Sequence, residues 1–156
     1  MWHERVGSEV FGQAQFSEFK RLNLRLLAGA GLRFQLFSGE SLESALGVAY
    51  MTEIESLDLP ENEAEHPRED LSHRLTSYLT IRAKIQDYLA LVGTTYVQPR
   101  LSDFADLRVI GDLALEVSLS KSVKLVESFG FSYDSRPPDT VETTDISTVT
   151  KLRLSF

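Results

Sequence analysis

The stretch Leu22-Asn23-Leu24-Arg25-Leu26-Leu27-Ala28-Gly29-Ala30-Gly31-Leu32-Arg33-Phe34-Gln35-Leu36 carries an apolar residue at every even position. Its odd positions include Asn23, Arg25, Gly29, Gly31, Arg33 and Gln35. A helix would scatter the two sets around its circumference. A strand, whose side chains alternate, sorts them cleanly onto two faces. The spacing therefore predicts one long strand with an apolar face and a charged face.

The same period of two recurs along the chain. From Trp2 to Phe16, the residues Trp2, Val6, Val10, Ala14 and Phe16 oppose His3, Arg5, Glu9, Gln13 and Gln15. From Leu42 to Leu57, Leu46, Val48, Tyr50 and Ile54 oppose Glu43, Glu53 and Glu55. From His73 to Ile85, Leu75, Leu79, Ile81 and Ala83 oppose Arg74, Arg82 and Lys84. Tyr88 to Gln98 is apolar on both faces, so its orientation stays open. From Leu107 to Leu119, Val109, Leu113, Leu115 and Val117 oppose Arg108, Asp112 and Glu116. From Val123 to Tyr133 the pattern is rougher, because Glu127 shares a face with Leu125, Phe129 and Phe131. From Asp145 to Phe156, Ile146, Leu152, Leu154 and Phe156 oppose Asp145, Lys151 and Arg153.

Eight strands thus predict an all-β fold, a transmembrane antiparallel up-and-down β-barrel forming a single domain over residues 1–156. The expected links alternate in length. Ser38-Gly39-Glu40, Gln86-Asp87 and Ser120-Lys121-Ser122 are tight, whereas Asp58–Ser72, Pro99–Asp106 and Asp134–Thr144 are long and polar. Short turns at one end and longer loops at the other are the pattern of an outer-membrane barrel. The predicted strands run from eleven to sixteen residues, enough to cross hydrocarbon when tilted. Trp2, Phe34, Phe37, Tyr88 and Phe156 fall near the turn end, while Phe16, Phe19, Tyr96, Phe104, Phe131 and Tyr133 fall near the loop end. Two aromatic groups at opposite ends resemble interfacial girdles. A lipocalin-like soluble barrel, carrying a lipid or other apolar ligand, is the rival architecture. It uses the same periodicity with the faces reversed.

Composition excludes more than it assigns. The chain is 42% hydrophobic and 25% charged, without the long apolar run a spanning helix needs. A net charge of −7 argues against nucleic acid as a partner. With no cysteine there are neither disulfides nor thiolate sites. Met1-Trp2-His3-Glu4-Arg5 lacks the basic start and apolar run of a signal peptide. The expectation is either a mature or trimmed segment given a start Met, or a gene start placed too late.

The ending Lys151-Leu152-Arg153-Leu154-Ser155-Phe156 resembles the last strand of outer-membrane proteins. There, residues at the positions of Leu152, Leu154 and Phe156 are implied to be read by the barrel-assembly machinery. Two further stretches are Thr94-Thr95-Tyr96-Val97-Gln98-Pro99-Arg100-Leu101-Ser102-Asp103-Phe104, with Asp106 and Arg108, and Tyr133-Asp134-Ser135-Arg136-Pro137-Pro138. With Thr144-Asp145 and the terminal strand, they resemble the salt-induced outer-membrane protein family, YdiY-like, also called domain of unknown function 481. Thr140 stands where that pattern would place Gly. The resemblance covers the carboxyl-terminal part of the family pattern and implies an intact barrel of about twelve strands, of which these are the last eight. It implies a bacterial outer-membrane location, lipid and lipopolysaccharide as surroundings, and a role in the envelope or in osmotic or salt stress, as a structural element or a narrow pore. No catalytic residue and no cofactor follow from it.

The candidate site is the charged face itself. Arg5, Glu9, Arg21, Arg25, Arg33, Glu43, Glu53, Glu55, Arg74, Arg82, Arg108, Asp112, Glu116 and Arg153 are expected to share the interior. They would pair there as a network filling a narrow lumen, with Gly29, Gly31 and Gly47 making room for long Arg side chains. His3, His66 and His73 are too dispersed for a metal site. Ser72 and His73, near Glu69 and Asp70, lack the third orienting group of a hydrolase. Hence no enzyme is expected.

Overall fold

The computed structural model describes residues 5–17, 22–57, 69–137 and 141–154. These residues form one eight-stranded sheet, ordered β1 to β8 as in the chain, with every neighbouring pair antiparallel. The strands are β1 (Val6–Ser17), β2 (Leu22–Ser38), β3 (Leu42–Leu57), β4 (Glu69–Gln86), β5 (Leu89–Arg100), β6 (Asp103–Ser118), β7 (Val123–Asp134) and β8 (Thr144–Leu154). The all-β, up-and-down architecture is the one the alternation predicts. β1 and β8 are the two edges of the sheet and are not paired with each other.

Several strands are longer than the hydropathy pattern indicates. β4 begins at Glu69 rather than His73, β5 runs on to Arg100, and β6 begins at Asp103 rather than Leu107. The expected long loop from Pro99 to Asp106 is instead a tight turn at Leu101-Ser102, with a register shift between Pro99 and Arg100. Charged residues at these strand ends read as loop because they break the apolar alternation. They extend the ladder because their side chains find partners across the sheet.

The sheet is inverted in polarity. Among the described residues, the buried side chains include Glu53, Glu55, Ser72, Arg74, Thr76, Asp106 and Arg108, against only six apolar ones. Val10 and Ile146, by contrast, are 85% and 72% exposed. The register places the charged sets of all strands on the concave side. Pairs such as Arg25–Glu55, Thr94–Asp112 and Glu116–Val126 sit side by side there. It also settles β5, whose Val92, Thr94, Tyr96 and Gln98 face inward and whose Leu91, Thr95 and Val97 face out. Tyr96 therefore leaves the expected outer girdle. Its ring lies 5.3 Å from that of Tyr78 on the inner face.

The inward glycines make room for rings rather than for arginines. A Cβ at Gly47 would overlap the Tyr78 ring, and one at Gly29 would overlap the Phe11 ring. At Gly31 the backbone of β3 at Val48 and Ala49 comes too close for a side chain. Phe11 and Tyr78 thus lie down over neighbouring strands and fill the middle of the concavity. Gly47→Leu should drive Tyr78 out of this position and destabilise the fold by about 1–3 kcal/mol, as overpacking does. Urea unfolding of the refolded chain, followed by tryptophan emission, measures this.

Candidate functional site

Arg108 on β6 donates through Nη1 to Glu53 at 2.5 Å and through Nη2 to Glu55 at 3.1 Å, both on β3. Three strands apart, these residues would be separated by about 14 Å on a flat sheet, beyond reach for parallel side chains. The contact exists because the sheet curls. Arg108 Nε also donates to Asp134 on β7 at 2.7 Å, so one guanidinium ties three strands together.

Glu53 is the hub of a larger cluster. Besides Arg108, it lies 3.6 Å from Arg25 Nε on β2 and 3.7 Å from Arg74 Nε on β4. Arg25 Nη2 donates to Glu55 at 2.7 Å. Arg74 Nη2 donates to Asp106 at 2.9 Å, and its Nη1 to the Gln98 carbonyl at 3.1 Å. Arg100 on β5 joins Asp70 at 2.9 Å and Asp106 at 3.6 Å. Four guanidiniums thus meet five carboxylates drawn from β2 to β7. All lie toward the loop end of the concave face. Glu53 and Arg74 are each only 2% exposed, so neither could remain charged there alone.

Of the candidates read from the sequence, Arg25, Glu53, Glu55, Arg74 and Arg108 come together in this cluster. Glu9 and Arg33 form a second group, in which the Tyr78 hydroxyl donates to Glu9 at 2.7 Å and accepts from Arg33 at 3.1 Å. Arg82, Glu116 and Arg153 form a third at the turn end, with Arg82 3.2 Å and Arg153 4.0 Å from Glu116. Arg82 and Arg153 are about half exposed, so these pairs contribute little to stability. Arg82 and Glu116 stand with Glu43, Lys84 and Lys124 around an open hollow of about 140 Å³. Beside it, in the exposed β4–β5 turn, a hydrogen bond from Lys84 holds the Asp87 carboxyl below its usual range. Asp112 faces inward beside Gly130, and the Arg5 backbone carbonyl accepts from the Gln35 amide. Arg21 and Phe156 lie outside the described residues, while Leu152 and Leu154 face outward on β8.

Asp70, Arg100, Asp106 and Asp134 are absent from the charge set read from the sequence. Three of them belong to the strand ends that read as loop, and Asp134 ends β7. Continuing each strand's parity by two to four residues would have put them on the inner face. Ser72 and His73, neighbours in sequence, point to opposite faces of β4, so they cannot act on one substrate. His73 instead faces outward, with Nδ1 2.6 Å from the Tyr50 hydroxyl.

The stretch from Thr94 to Arg108 is the β5–β6 hairpin that delivers Arg100, Asp106 and Arg108 to the cluster. The stretch from Tyr133 to Pro137 docks against it. The Leu107 amide donates to Ser135 Oγ at 2.8 Å, Ser135 Oγ donates to the Ala105 carbonyl, and Arg136 pairs with Asp103 at 2.7 Å. The two motifs are one structural unit. A family model described as "Protein of unknown function, DUF481" matches residues 1–156. The chain belongs to the DUF481 family. No curated protein matches it. In this DUF481 chain the hairpin and the segment after β7 are the parts that seat the ionic cluster.

Removing the hub should be costly. Glu53→Ala leaves three guanidiniums facing one another and should destabilise the fold by about 3–5 kcal/mol, the usual penalty for breaking a buried pair. Glu43→Ala, at the exposed turn end, should stay within about 0.5 kcal/mol. Denaturant unfolding of the two variants side by side reads the difference.

Proposed function

We propose that this chain is an integral outer-membrane β-barrel protein that acts as a structural, non-conducting element of the bacterial envelope. The observation that carries the reading is the inverted polarity: a charged, mutually paired concave face and an apolar convex one. In water such an arrangement exposes the wrong side. In a bilayer it is the favourable one, because every strand then offers hydrocarbon to lipid and keeps its charges inside. The lipocalin-like alternative needs an apolar interior, and the interior here is ionic. Outer-membrane lipid and lipopolysaccharide are the surroundings of the apolar belt, and the exposed Leu152 and Leu154 of β8 suit the assembly signal read from the sequence.

The lumen is occupied where a solute would have to pass. At the loop end the Glu53 cluster crosses from β2 to β7, and at mid-height Phe11, Tyr78 and Tyr96 fill the space over Gly29 and Gly47. Among the described residues of the site, no nucleophile stands with a base and an orienting group, and the role proposed is a structural one.

The expected behaviour is folding only in detergent or lipid, with different gel mobility before and after boiling. Leu79, at mid-height on the outward face of β4, is the place to insert a charge. Leu79→Arg should impair insertion by about 2–4 kcal/mol. The same change at Leu115 should be milder, because Leu115 lies directly opposite Glu127 and the new Arg gains a partner. Planar-bilayer recordings of the refolded chain should show no large steady conductance. A monomer soluble without detergent would overturn the membrane reading, and a stable open-channel current would overturn the sealed lumen.

A further inference from the structure

Away from the strand ends, the outward faces of the described strands carry two acidic or basic side chains, His73 and Glu127. His73 is matched by Tyr50. Glu127 stands near the middle of β7, in an otherwise apolar outward row with Leu125 and Phe129, opposite Leu115 and Thr150. Thr150 Oγ1 donates to Glu127 Oε2 at 2.5 Å. Thr148, exposed and opposite Phe129, continues the polar strip along β8. Phe129, Ile146 and Leu152, which are 49%, 72% and 61% exposed, surround it.

We propose that this strip is the contact between two copies of the chain within the membrane. The inference rests on the outer-membrane reading above, because only there is a carboxylate on the convex face out of place. An ionisable group at membrane depth is retained where something other than lipid meets it. One hydroxyl leaves most of the carboxylate's acceptor capacity unused. The strip holds an acceptor, Glu127, beside the Thr148 hydroxyl, whereas the single Thr150 proton already goes to Glu127 of its own chain. A two-fold axis along the membrane normal therefore sets each copy's carboxylate against the other's Thr148 hydroxyl. This is the self-complementarity an isologous dimer requires. The apolar rim gains nothing by exchanging lipid for protein, so the polar contacts and the close approach that small threonines allow set the association.

The chain has no cysteine, so a single introduced one reports its own surroundings. Ile146→Cys, on the apolar rim, oxidised in liposomes, should give a disulfide-linked dimer. Val48→Cys, outward on β3, should not. Adding Glu127→Leu to Ile146→Cys should lower the dimer yield about tenfold, the change expected from losing two intramembrane hydrogen bonds. Thr148→Val serves as the second variant with the same expected loss. Heat-dependent gel mobility confirms that each variant has folded. Equal cross-linking at positions 146 and 48, an undiminished dimer in both variants, or a cross-link from position 146 to a different envelope protein would each overturn the proposal. Failure of the membrane reading shows separately, as solubility without detergent.

Discussion

The Glu53 carboxylate holds the structure in its curled form. Guanidiniums from β2, β4 and β6 converge on it, and the strands between them cannot lie flat while that convergence lasts. Each of these ions would be expensive to remove from water on its own, by several kcal/mol. Together they neutralise one another, and the outer members, Asp70, Arg100 and Asp134, keep contact with the more exposed rim. Arg74 donates to the Asp106 carboxylate and to two backbone carbonyls, while its Nε lies 3.7 Å from the hub and is paired with it by charge alone. The ion pairs therefore do what an apolar core does in a soluble domain. They decide which face is inside.

The remainder of the concave face follows from that choice. Below the cluster the wall of β2 and β3 is thinned to Gly29, Gly31, Gly47 and Ala49, and rings from β1 and β4 occupy the space. Tyr78 links this aromatic layer to the ionic chemistry through Glu9 and Arg33. Toward the turn end the side chains become smaller and the charges more solvated, ending in the hollow between Arg82, Glu116 and Lys124. The concave face is thus filled at the loop end and more open at the turn end. The segment after β7 docks onto the β5–β6 hairpin at that filled end, and Arg100, Asp106, Arg108 and Asp134 from these two parts join the same buried ions.

The convex face obeys a simpler rule, and its exceptions are informative. It is apolar almost throughout. Where it is not, the polar group has a neighbour on the same sheet, as His73 has Tyr50 and Glu127 has Thr150.

The sequence alone determined the number of strands, their order and which residues share a face. These depend on a period of two that no helix can satisfy and on short links that only antiparallel neighbours allow. The residues Arg25, Glu53, Arg74 and Arg108 were legible as a set for the same reason. What the sequence could not decide was which face is inward, because alternation is symmetric about the sheet. Nor could it show the ends of β4, β5 and β6, where Asp70, Arg100 and Asp106 break the apolar pattern but continue the strand. Nor could it say which charge meets which, since Arg108 reaches β3 only through the curl. Those are properties of curvature, and curvature comes from side chains meeting across strands that are far apart in sequence. The alternation drew the wall; the buried ions bent it.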